Sequence, residues 1–249
     1  MKRIALFITS IAVFTSCHKD HGEQVTPKRI TVIANEETPA ATTKFNYDTN
    51  GRLISAENSD VIGSYQFVNN QVKFSGVTKP GNLETSRGTF TLDNQGRAIH
   101  FEYIVPGNGG LLDTAHYDYE YNADGYLSKT KSTYSNGQTG EIQMEYVNGN
   151  LTKETFLDNG GMTAYWIYTY TTNEDKINLN TNFTYYTNCI AGKKSHNLPL
   201  KATEYNAVNI KQAETAYEYQ LDGQGFVTKR TVHFTNTGTV VHEDYSYNK

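Results

Sequence analysis

Cysteine is nearly absent, 2 in 249 residues, and the two cannot form a disulfide framework: Cys17 closes an apolar leader, which leaves Cys189 without a partner in the chain. With no flanking cysteine and no nearby histidine before His196, Cys189 reads as a small half-buried residue of a strand or loop, not a reactive thiol. Proline is scarce as well. The 5 present make no linker, so residues 28–249 are expected to form one domain. Tryptophan occurs once against 19 tyrosines, which puts the aromatic bulk into a ring whose hydroxyl can stay bonded at half-wetted positions. Nor is there a surplus of basic charge. Lys and Arg number 22 against 26 Asp and Glu, interleaved throughout, so no cationic face exists to displace counterions from phosphate, and nucleic acid is excluded as a partner. After residue 17 no segment keeps a helical apolar period.

What is present begins with Lys2 and Arg3, followed by the apolar run Ile4–Phe14, too short to span a bilayer as a helix. Thr15-Ser16-Cys17 then places small residues before a cysteine, and this resembles the lipobox of bacterial lipoproteins, with Phe14 where Leu is usual. The resemblance implies a signal peptide over residues 1–16, lipidation of Cys17 and a tether over 17–27. Lys19-Asp20 just behind the cysteine is similar in part to the surface-export tag of Bacteroidota lipoproteins. It implies an outer-membrane anchor facing the cell exterior. A buried acyl chain contributes about 0.8 kcal/mol per methylene and stable anchoring takes more than one chain, a condition that a multiply acylated Cys17 would meet.

The body is dominated by a hairpin unit. Its clearest copies are Phe45-Asn46-Tyr47-Asp48-Thr49-Asn50-Gly51-Arg52-Leu53, Tyr119-Glu120-Tyr121-Asn122-Ala123-Asp124-Gly125-Tyr126-Leu127 and Tyr217-Glu218-Tyr219-Gln220-Leu221-Asp222-Gly223-Gln224-Gly225-Phe226-Val227. Alternating aromatics running into a turn of Asn, Asp and Gly, then an apolar residue and a polar strand, describe an antiparallel hairpin. Shorter turns occur at Asn69-Asn70 and Asn148-Gly149, and reversals at the opposite strand ends at Asn136-Gly137, Asn159-Gly160 and Asn236-Thr237-Gly238. Reversals at intervals of about ten residues predict an all-β antiparallel meander of about sixteen strands. A twisted sheet of more than about ten strands curls, closes or splits into layers. The expected form is therefore a curled or closed barrel-like single domain, with a two-layer sandwich as the alternative. A circular barrel of that width cannot be filled by its own side chains, so its interior must be wet, flattened or plugged.

The repeat resembles the YD-type repeats of bacterial Rhs and teneurin-like shells. Together with the leader it is similar to uncharacterised Bacteroidota lipoproteins with a porin-like fold, over residues 43–249. That resemblance implies fold and location, and carries no catalytic residues. Porin-like need not mean membrane-spanning: Lys129, Lys131 and Thr133 share one strand face and Ser128, Thr130 and Ser132 the other, so neither is apolar.

Candidate chemistry is thin. The Asp, Asn and Gly of Asp48–Gly51, Asp93–Gly96 and Asp222–Gly225 suit turn geometry better than calcium, which needs more carboxylates. His233 and His242 can approach across the last hairpin, but His242 and Glu243 face opposite ways, and zinc needs three or four convergent ligands. His100 and His116 read as isolated, no carboxylate pair such as Glu102 with Asp118 is marked, and Gly107-Asn108-Gly109-Gly110 lacks the strand-to-helix context of a phosphate loop. No catalytic residue, metal or cofactor is expected. Aromatic glycan binding is the most specific alternative, at Tyr165, Trp166, Tyr168, Tyr170, Tyr185 and Tyr186, where cross-strand packing is the competing explanation. Residues 187–212 are the least regular stretch, the natural place for a recognition loop. The expected protein is thus a lipoprotein with a non-catalytic structural or binding role, its partners the membrane, through Cys17, and a glycan or surface protein; a carbohydrate-binding lipoprotein of a glycan-uptake system is the second reading and an outer-membrane pore the third.

Overall fold

The structure, a computed structural model, describes residues 28–106, 112–176 and 190–248. The leader, Cys17, the tether, the Gly107–Gly110 run, Tyr185, Tyr186 and Cys189 lie outside the described residues. Among the described residues, apart from one short 3-10 turn at Pro39–Ala41, the regular structure consists of strands. In chain order they are β1 (Ile30–Asn35), β2 (Thr43–Tyr47), β3 (Leu53–Glu57), β4 (Val61–Val68), β5 (Gln71–Thr78), β6 (Glu84–Leu92), β7 (Ala98–Pro106), β8 (Leu112–Tyr121), β9 (Leu127–Tyr134), β10 (Thr139–Val147), β11 (Asn150–Asp158), β12 (Gly161–Glu174), β13 (Asn197–Asn206), β14 (Lys211–Leu221), β15 (Val227–Phe234) and β16 (Thr239–Tyr247). Each pairs antiparallel with its neighbours in sequence, and β1 pairs with β16 through Ile33 opposite Tyr245. The sheet is a closed sixteen-strand barrel, which leaves no free edge to recruit another chain.

The turns divide the barrel into two unlike ends. At the entry end, where the chain arrives at Lys28, the turns carry the Asx device: the Asp93 carboxylate accepts the N–H groups of Gln95 and Arg97, both at 2.9 Å, and the Asp222 carboxylate those of Gln224 and Phe226, also at 2.9 Å. Gly96 and Gly225 close these turns at φ of 77° and 82°, where a Cβ would be strained. The apolar residue that follows each turn opens an odd-numbered strand on its inner face. Leu53, Val72, Ala98, Leu127, Leu151, Leu198 and Val227 are exposed by only 0 to 6%, too dry to surround an open aqueous mouth.

Tyrosines lock the same end. From the last turns of even-numbered strands, Tyr47, Tyr121, Tyr170, Tyr219 and Tyr247 donate to the carbonyls of Ile30, Ala98, Leu151, Pro199 and Val227, at 2.5 to 2.8 Å. Each acceptor lies at the start of the preceding odd strand, so the repeated ring places its bulk in the core and its hydroxyl on a backbone acceptor in one move.

Residues 190–197 run along the inside of this rim. Ala98 N–H donates to the Ile190 carbonyl at 2.7 Å, Lys193 N–H to Gly125 at 3.0 Å, His196 N–H to Gly149 at 3.0 Å, and Leu151 N–H to Ser195 Oγ at 3.0 Å. Ile190 itself packs in the core with Phe90, Leu198 and Val227. The stretch 187–212, expected to be irregular, is regular from Asn197 onward: β13 bulges at Pro199, where the ladder needs no N–H, and an Asn206 turn leads into β14.

The outer face is a lattice of charge. Glu120 meets Lys131 at 2.7 Å, Lys153 meets Glu145 at 3.4 Å, and Glu214 meets Lys211 at 2.9 Å and Lys201 at 3.5 Å. Each Lys placed at a bilayer midplane would cost about 2–4 kcal/mol.

Candidate functional site

The structure separates the aromatic residues suggested as a glycan platform. Along β12, Trp166, Tyr168 and Tyr170 point into the barrel and Tyr165 points out. Tyr165 stacks on Tyr205, ring centres 5.0 Å apart and nearly parallel, and its hydroxyl donates to Asn209 at 3.0 Å. Trp166 lies 6.4 Å from Tyr168, whose hydroxyl donates to the buried Glu154 carboxylate at 2.6 Å. The four therefore do not form one surface.

Glu154 belongs to a polar layer inside the barrel that sequence pattern alone did not reveal. Arg230, 3% exposed, reaches Glu243 at 2.6 Å, and the Tyr245 hydroxyl donates to the same carboxylate at 2.7 Å. The signal was present in the register: β15 alternates Val232 and Arg230 on one face, so an arginine had to enter the interior with a partner.

The turn carboxylates are engaged by their own loops. Asp222 is pulled down to about 2 by the Lys28 ammonium, 2.6 Å away, and by the Phe226 N–H; Asp48 is lowered by the Arg52 N–H and side chain. On the outer face, His100 and His116 are not isolated: the β7–β8 register stacks their rings at 5.8 Å, with Asp118 2.8 Å from His100 Nδ1. His233 sits opposite Val240 and faces Glu218 at 3.3 Å, while His242 is bonded to Glu37, so the two are held by different partners. Glu36, Glu37 and His242 bring three ligand atoms within 4.8 Å of one another, but Lys229 already pairs with Glu36 at 2.6 Å.

The remaining candidate is the interior at the far end, where the β9–β10 and β11–β12 turns lie. Two adjoining cavities of about 440 and 340 Å³ share Tyr117, Tyr134 and Gln138. Tyr103, Phe156 and Ile142 add apolar wall, and Thr130 and Ser132 add hydroxyls. Tyr117 and Tyr134 meet edge to face, ring centres 6.5 Å apart. Burial, reinforced by Tyr134, pushes the Tyr117 phenol up to about 12, so it stays a neutral donor at physiological pH. Thr130, 7% exposed, has a hydroxyl without a hydrogen-bond partner. Gly140 keeps this floor open: a Cβ there would come within 2.6 Å of Ser132 Oγ.

No protein-family model and no curated protein matches the chain. Among solved structures, a porin-like protein from Bacteroides vulgatus ATCC 8482 aligns with a TM-score of 0.65 at 15% identity, covering 88% of this chain and 99% of that one. A porin-like protein from Bacteroides uniformis ATCC 8492 aligns with a TM-score of 0.63 at 17% identity, over 90% and 98% of the two chains. The chain has the fold of these porin-like proteins. TcdB2-TccC3 aligns at a TM-score of only 0.37, with 11% identity over 82% of this chain and 12% of that one, which carries no argument. At such identities the likeness speaks for architecture alone, and the role must come from the chain's own residues.

Proposed function

We propose that the chain is an outer-membrane lipoprotein, anchored through acyl chains on Cys17 and displayed toward the cell exterior, with a non-catalytic binding or structural role. One observation supports this above others: the barrel wall is charged all round, so attachment has to come from outside the barrel, and the leader supplies a cysteine for it. The chain enters at the dry end, where Lys28 pairs with Asp222, eleven residues after Cys17. A fully extended tether of that length spans at most about 40 Å. The entry end then faces the membrane and the far end faces away. A pore is a poor fit, because the ring from Leu53 to Val227 is nearly inaccessible to water.

The test is metabolic labelling with a palmitate analogue. Wild-type protein takes up label and sediments with outer membranes; Cys17→Ser does neither. Protease added to intact cells removes the wild-type barrel from the surface. Label on Cys17→Ser, or soluble wild-type protein, refutes the anchor, and conductance of purified protein in planar bilayers would reinstate the pore.

A further inference from the structure

We propose that the two adjoining cavities at the far end of the barrel form a binding site for a neutral sugar ring, presented by a glycan outside the membrane. The direction in which the site faces rests on the anchored reading above; the site itself does not.

Its volume falls in the usual range for small-molecule sites, about 300–1,000 Å³. The chemistry of the walls narrows the class. Tyr103, Tyr117 and Tyr134 line the walls with aromatic rings of the kind that pack against the C–H surface of a pyranose, and Tyr134 is the most exposed of them at 41%. Ser132 and Gln138 offer donors and acceptors in the mixed pattern that sugar hydroxyls require. Thr130 is the strongest pointer. A buried hydroxyl without a partner is costly, and Thr130 lines the larger of the two cavities, where a ligand hydroxyl is the partner that the fold does not supply. Among the described residues no Lys, Arg or His lines either cavity, and Asp113, Glu141 and Asp158 do. Anionic ligands are therefore disfavoured, and the neutral ring is the class that uses both the aromatic faces and the hydroxyls.

The larger hollow, about 720 Å³ on the outer face, is a weaker site, since its Arg87 and Glu84 neutralise each other at 3.0 Å.

The experiment is a glycan array of neutral hexose and N-acetylhexosamine oligosaccharides with their uronic and sialylated counterparts, run on full-length protein in detergent and followed by calorimetry. Neutral glycans should bind and acidic counterparts should bind more weakly. Thr130→Val removes a hydroxyl that bonds nothing in the fold, so stability should hold while affinity falls about ten-fold. Tyr134→Ala at the rim should weaken binding by at least as much, and Tyr165→Ala on the outer wall should not change it. Silence across the array, equal binding by Thr130→Val and Tyr134→Ala, loss in Tyr165→Ala, or preference for a cation such as choline would each overturn the site. Because no membrane is involved, Cys17→Ser protein should bind as wild type does, so failure of the labelling test would sink the anchor and spare the sugar site, and silence on the array would sink the site and spare the anchor.

Discussion

Alkaline pH should open this barrel, and the size of the effect follows from where its tyrosines sit. Burial raises the phenols of Tyr119, Tyr146, Tyr170 and Tyr219 above their ordinary value near 10, Tyr170 to about 12 and the other three further. A group whose folded pKa lies above its unfolded one leaves stability intact below the unfolded pKa and removes it as pH rises toward the folded one. For each such tyrosine the loss is about 1.4 kcal/mol per pH unit beyond about pH 10. Four acting together remove about 5 kcal/mol per unit, against a typical total of about 5–15 kcal/mol. Tyr117, Tyr121 and Tyr247 are also raised by burial but are better solvated, so they add a smaller, screened share. Stability should stay level to about pH 10 and collapse between about pH 11 and 12.5.

The assay follows tyrosinate absorbance and far-ultraviolet circular dichroism on one sample through a pH titration. The expected result is a late, cooperative rise in tyrosinate coincident with loss of the β signal. Tyr119→Phe, with no phenolic proton to lose, should make the transition shallower. If every tyrosine ionises while the β signal persists past about pH 12.5, these phenols do not hold the barrel closed and the reasoning fails.

Two further outcomes are expected. Tyr219→Phe and Tyr247→Phe each strand a backbone carbonyl now bonded at 2.8 and 2.5 Å, and should cost about 1–3 kcal/mol in urea denaturation, while Tyr165→Phe on the outer wall should cost less than about 0.5. Equal costs at all three would refute the locking role. Gly88→Ala would place a Cβ 2.4 Å from the Glu102 carbonyl oxygen and 2.5 Å from the Phe101 ring, so it should destabilise by about 1–3 kcal/mol; an unchanged denaturation midpoint would show that β6 and β7 yield more easily than their packing implies.

The sheet was readable because its signals are local. Asp48, Asp93 and Asp222 shape their own turns within four residues, and tyrosines alternate along single strands, so strand count and turn position follow from short-range pattern, while closure, left open against a curled sheet or a sandwich, is decided by the β1–β16 pairing. What the pattern could not give is the register within each hairpin and the pairing across the seam. The Arg230–Glu243 pair and the Tyr168–Glu154 bond depend on which inner-face positions meet, as does the union of Glu36 and Glu37 with His242 across the β1–β16 seam. The far-end cavity is further from the sequence still. Thr130 and Ser132 look like any polar strand residues until closure turns them inward, opposite Ile142 and Gly140.

The asymmetry between the two ends links the fold to its use. Buried leucines and tyrosine hydroxyls gather where the chain enters, because each hairpin unit puts its ring and its apolar residue on the same side of its turn. The opposite reversals include short polar turns such as Asn159-Gly160, with both residues at positive φ, and space remains beneath the β9–β10 and β11–β12 turns. One repeated unit therefore yields a barrel that is dry at one end and hollow at the other. Sixteen strands exceed what their own side chains can fill, and the repeat fixes which end stays empty. A protein held by its N-terminus at the dry end can offer only the hollow end to a partner, so substitutions around Tyr134 should alter recognition, whereas those around Tyr219 should alter folding.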